Sequence, residues 1–259
     1  GTIELSVAAP AYVAQTVGGT ITFNRPVTLT QNTLISTGAG IGTVTFATTA
    51  PITGNFALGI TAGTGNVEIV PTAGTPLALT SLTVSSATLA TFRDNITTEG
   101  PGGITITATT INLDGLTMTA GTDPAASINL NGNVTLSSGL TSLYAVNEIN
   151  VSGTVTGTVS GAQNLTVQTS TAATSAILFN GDVGTTATLL GAITIINGYD
   201  ITFGGSVNAA SITQTAGANS TTFTGNVNTT GAITITAATN VTFSGTVDAL
   251  SLAQTNGSG

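Results

Sequence analysis

The chain has no His, Lys or Cys in 259 residues, so the side chains that carry charge at neutral pH reduce to ten acids and two arginines. The acids are Glu4, Glu68, Asp94, Glu99, Asp114, Asp123, Glu148, Asp182, Asp200 and Asp248, and the bases are Arg25 and Arg93. Glycoside hydrolysis needs two carboxyl groups about 5 to 10 Å apart, and a polysaccharide lyase needs a base to draw off a proton. The acids are scattered thinly along the chain, and neither arginine has a second base near it, so both arrangements lack their parts. A Ser, His and Asp triad has no base here, and a zinc site has no imidazole or thiolate. Oxygen ligands for calcium exist at Asp94, Asn95, Asp114 and Asp123, but the Gly-Gly-x-Gly-x-Asp signature of calcium-loaded β-rolls is absent. Charge is concentrated only at Arg93, Asp94 and Glu99, beside Gly100-Pro101-Gly102-Gly103, a pattern that suits a surface ion pair or a turn. The expectation is a chain with no catalytic residue, no metal and no cofactor.

The elements that hold these residues follow from the rest of the composition. Hydrophobic residues make up 41% of the chain and charged residues only 5%. Disordered chains show the reverse balance. Val, Ile and Thr favour strands, while Gly and Asn favour tight turns, so an all-β fold is expected. Every apolar run is broken within a few residues by Thr, Ser, Asn or Gly, which leaves no transmembrane helix. With no Trp, three Tyr and eight Phe, the aromatic girdles of an outer-membrane barrel are also missing. A net charge of −8 with two basic residues offers no face for phosphates, so nucleic acid is not an expected partner.

A repeat organises the chain. ITFGGSV, TTFTGNV and VTFSGTV place Phe203, Phe223 and Phe243 twenty residues apart, with Val207, Val227 and Val247 four residues after each. Followed backwards, the same slot falls on Phe179, Val151, Leu130, Leu113, Phe92, roughly Ile69, Phe46 and Phe23, at intervals of about 17 to 28 residues. Within a unit the alternation is period 2, apolar side chains inward and Thr outward, with a Gly-containing bend between short strands. A propeller blade needs about 40 residues, whereas one coil of a parallel β-solenoid needs about 20 to 25. The expected fold is a right-handed parallel β-helix of about eleven to twelve coils, a single solenoid over residues 1–259, irregular to about 176 and regular from about 177. Like residues then stack in columns about 4.8 Å apart, which explains Phe over Phe and the scarcity of charge. Asn208, Asn228 and Asp248 form a second column, expected to bond side chain to side chain as a polar ladder.

Phrases such as ITFNRPVTLTQNTLISTGAGIGTVTF, LTSLTVSSATLATF, GAQNLTVQTS and VTFSGTV resemble the repeats of large bacterial exoproteins of the filamentous haemagglutinin-like and autotransporter-adhesin class. That resemblance implies an exported, surface-displayed or released β-helix serving as a stalk, adhesin or matrix fibre. The Asn-Pro-Asn type motifs of the export-directing end are absent, which suits an interior repeat region. Neither end carries a charged cap, so the expected partners are further repeats of the same chain or copies of itself, with host or surface glycans as ligands. Two other readings compete: a carbohydrate-binding or carbohydrate-cleaving module, and an ice-binding solenoid with Thr-x-Thr pairs at Thr105-Ile106-Thr107, Thr222-Phe223-Thr224 and Thr234-Ile235-Thr236.

Overall fold

In the computed structural model, which describes residues 3–5, 12–70 and 77–256, the chain winds as an all-β parallel solenoid of about ten turns. That is slightly fewer than the intervals suggested. No helix occurs among the described residues, and none is long and apolar enough to cross a membrane. Each turn supplies strands to three ladders, here faces A, B and C in the order the chain visits them. One turn shows the plan: Asp200–Phe203 on face A, then Val207–Gln214, whose first half lies on face B and second half on face C. Every strand pairs in parallel with its counterpart one turn away, so each face is a ladder running along the axis.

Inward positions build a continuous apolar core. On face A, Ile35, Ile60, Val84, Ile106, Leu130, Val151, Phe179, Phe203, Phe223 and Phe243 follow one another in register. On face B, Val155, Val183, Val207, Val227 and Val247 do the same. The rings of Phe179, Phe203, Phe223 and Phe243 lie nearly parallel, with centroids 4.9 to 5.1 Å apart. Isolated aromatic pairs prefer offset or edge-on geometry; here the ladder spacing imposes face-to-face stacking.

The structure divides the expected single Phe column in two. Phe23, Phe46, Ile69, Phe92 and Leu113 belong to face B, where Leu113 is followed by Leu136. Leu130 and Val151 belong to face A with Phe179, Phe203, Phe223 and Phe243. The change of face lies between Leu113 and Leu130, seventeen residues apart, whereas successive turns are 19 to 29 residues apart in register. A strand, a bend and another strand read alike at either position, so the local motif does not say which face it serves.

Glycine sets the corner between faces A and B. Gly153, Gly181, Gly205, Gly225 and Gly245 occupy it on successive turns, and a Cβ at each would lie 2.5 to 2.6 Å from the backbone of the preceding turn. The Gly of the Phe-x-Gly-x-Val phrase is therefore fixed by close approach of backbones. Several polar side chains are buried, Thr98 and Thr141 among them, and one pair bonds within the apolar columns. Gln214 stands in register between Ile195 and Ile235 and is fully buried. Its Nε2 donates to Ala237 O at 2.8 Å, and its Oε1 accepts from Thr221 Oγ1 at 2.8 Å.

Phe223 is fully buried between two rings, whereas Phe243 is only partly buried at the last described turn. Phe223→Ala should cost about 3–5 kcal/mol and Phe243→Ala distinctly less. Denaturant unfolding of the two variants checks the order, and equal losses would contradict the column.

Candidate functional site: a polar groove on face B

The outward side of face B carries two polar rows through the turns from Asp182 to Asp248. One row lies just before the Val column: Asp182, Ser206, Asn226 and Thr246. The other lies just after it: Gly184, Asn208, Asn228 and Asp248. Together with Thr185 and Thr186 they line a groove of about 450 Å³. A smaller depression of about 180 Å³ lies elsewhere, beside Thr119, Tyr144 and Gln168.

The first row is committed to holding the corner. Asp182 Oδ1 accepts from Ser206 N at 2.7 Å, and Asn226 Oδ1 accepts from Thr246 N at 3.0 Å. Asn133 does the same for Thr154 N at 3.1 Å further back on the corner. Where the chain bends, a ladder N–H loses its carbonyl partner, and a short Asx side chain one turn away replaces it. The device recurs at other corners, from Asn32 to Ala57 N, Asn95 to Thr117 N and Asn164 to Ala192 N. Asn95, Asn133, Asp182 and Asn226 each lie three residues after Phe92, Leu130, Phe179 and Phe223, so a periodic signal for this device is present in the sequence.

The second row is the expected ladder, and it differs from expectation in its bonding. Asn208, Asn228 and Asp248 do stack in register. Among the described residues no hydrogen bond joins these side chains; Asn208 Nδ2 instead reaches Gly184 O at 3.4 Å. In-register outward side chains leave along parallel directions, and Asn208 is turned by the overhanging chain toward Gly184.

That overhang is the groove wall. Gly184 has a φ of 71 degrees, in the left-handed region, and a Cβ there would collide with the Asn208 carbonyl. The chain leaves the sheet at this residue and returns at Leu190, whose strand pairs with Ala209. Thr185 N donates to Thr188 O at 3.0 Å, and Thr188 N donates to Thr185 Oγ1 at 2.9 Å, closing the loop on itself. Asn208 beneath it is 7% exposed.

The groove holds two carboxylates, Asp182 and Asp248, and no basic or aromatic side chain. They sit three turns apart in register, about 14 Å along the axis, beyond the span of a hydrolytic carboxylate pair. The groove lining is suited to exchanging hydrogen bonds along the axis.

The charged corner is built differently from its sequence neighbours. Arg93 Nη1 donates to Asp114 Oδ2 at 3.0 Å and Nη2 to Glu68 Oε1 at 3.5 Å, bridging the turns on either side. Asp94 instead accepts from Asn95 N at 2.7 Å, and no ion pair to Glu99 forms among the described residues. Of the oxygens considered for calcium, Asn95 Oδ1 accepts from Thr117 N, Asp114 Oδ2 from Arg93 and Asp123 Oδ1 from Ala125 N at 2.9 Å, while Asp94 Oδ2 is buried without a hydrogen-bond partner among the described residues. Among the described residues no three acids come together as a metal site. Hydrogen bonds from Ser138 and then Arg93 hold the Asp114 carboxyl below its ordinary value of 3.8, against the opposing effect of burial. Asp200 accepts from Ser220 Oγ and from Asn219 Nδ2 and serves a turn.

The Thr-x-Thr pairs fall on two outer rows. Thr202, Thr222 and Thr242 stack on face A, but Leu178 precedes them; Thr166, Thr194, Thr213 and Thr234 stack on face C and give way to Ala253.

Two outcomes follow. Gly184→Ala should destabilise by more than about 1 kcal/mol, because the left-handed backbone and the Asn208 carbonyl both oppose a Cβ; amide chemical shifts should move mainly near 182–190 and 206–210. Because Asp114 is depressed on folding, its contribution is present above its ordinary value and lost as pH falls through the folded value. Wild type and Asp114→Asn should therefore differ in melting temperature at neutral pH and converge as pH falls through the lowered folded value of Asp114, which a pH series of thermal melts measures.

Comparison of the chain with protein-family models, with curated proteins and with solved structures finds no match.

Proposed function

We propose that the chain is a non-enzymatic structural module, a rod in a bacterial extracellular fibre, stalk or adhesin. The observation that carries this reading is axial: backbone ladders, Phe and Val columns and Asx bonds all join one turn to the next. Such a body grows by adding turns, and its stability sums over neighbouring interfaces. Surface display or release is part of the same proposal and draws on the likeness of the repeats to those of haemagglutinin-like exoproteins.

The partners proposed are further turns of the same kind, from the same chain or from another copy. At the last described turn Val247, Leu250 and Leu252 are 38%, 81% and 53% exposed, and another turn in register would cover the columns to which Val247 and Leu252 belong. A strand edge of this sort accepts a parallel neighbour without distinguishing its source.

Negative-stain electron microscopy of the purified chain tests the fibre reading. The expected particles are narrow rods about 5 nm long, from about 4.8 Å per turn, together with longer rods formed end to end. Strictly monomeric, compact particles at every concentration by light scattering would count against it.

A further inference from the structure

We propose that the groove on face B binds an uncharged glycan chain laid along the solenoid axis. This goes beyond the structural role, since a rod needs no such groove. The groove's volume of about 450 Å³ lies within the range of sites for small ligands. It runs across successive turns, so it offers a repeating set of partners to an elongated ligand.

The two polar rows differ in what they have left to give. Asp182 and Asn226 each hold a backbone N–H of the next turn. Asn228 and Asp248 make no side-chain hydrogen bond among the described residues. Asn208 is 93% buried, being 7% exposed, yet its side chain has only the long bond to Gly184 O. A carboxamide offers two donors and an acceptor with two lone pairs, and buried polar groups ordinarily find partners. The unspent capacity of this row faces the groove.

The chemistry of the lining selects the ligand. Carboxamides donate and accept, hydroxyls of Ser206 and Thr246 do both, and carboxylates accept. A sugar hydroxyl also donates and accepts, and its bond to a carboxylate is charge-assisted. Asp182 and Asp248, with no basic residue beside them, disfavour phosphate, sulfate and uronate. Val227 is the one large apolar residue of the lining, too little for a lipid or an apolar peptide. The Thr185 to Thr188 loop closes on itself, so its wall is formed before a ligand arrives and ordering it costs little on binding.

The test is a panel of neutral oligosaccharides of four to eight units, screened with the purified chain and followed by titration calorimetry of the best ligand. Asn228→Ala and Asp248→Ala remove outward side chains without touching the core, and each should weaken binding about tenfold at an unchanged melting temperature. Gly184→Ala, which disturbs the wall, should weaken it as well. The proposal falls if no neutral oligosaccharide is retained, if binding survives both variants, or if only charged glycans or calcium ions alone are held. Rod formation in the microscope is independent of each of these outcomes, so the groove and the fibre stand or fall separately.

Discussion

The rise between turns, about 4.8 Å in any parallel ladder, is the constraint on which the rest of this molecule depends. It makes the nearest neighbour of each residue its counterpart one turn away. Apolar residues then form columns, Phe rings stack face to face at 4.7 to 5.1 Å, and like charges are excluded because they would repel at that distance. Where charge does occur in a column-like arrangement it alternates in sign, as at Glu68, Arg93 and Asp114.

The same constraint makes the corners the delicate part of the fold. Straight strands satisfy their own backbone groups, whereas a bend leaves N–H groups short of a carbonyl. Two residue types resolve this. Glycine lets backbones approach to a distance that no Cβ tolerates, as at Gly205, Gly225 and Gly245. Asn and Asp supply the missing acceptor, as at Asn133, Asp182 and Asn226. Several Asn and Asp residues are thus parts of the ladder. Against that background the uncommitted row of Asn228 and Asp248, with the buried Asn208 beside it, stands out as capacity the fold does not use.

Regular spacing from Phe179 to Phe243 is legible because those turns are 20 to 24 residues long and repeat the same phrase. Legibility fails at Leu113 and Leu130, where a familiar phrase occurs on adjacent faces. Alternation tells whether a side chain points in or out, but not which of three faces it serves. The groove was half visible: Asn208, Asn228 and Asp248 share a phase, while the wall at Gly184 to Leu190 breaks the repeat and so carries no periodic signal. Gln214 was hidden because a buried amide in an apolar column is recognised only by its partners, Thr221 and Ala237.

By itself the sequence determined an all-β chain with inward apolar columns and glycine bends, because these follow from residue types and short spacings. Only the tertiary structure decided which turns share a column, that Arg93 bridges Glu68 and Asp114, and that Asp182 and Asp248 enclose one groove. Those relations join residues about 20 to 70 positions apart. They depend on the accumulated length of every intervening turn, and a difference of a few residues in any loop would pair different partners.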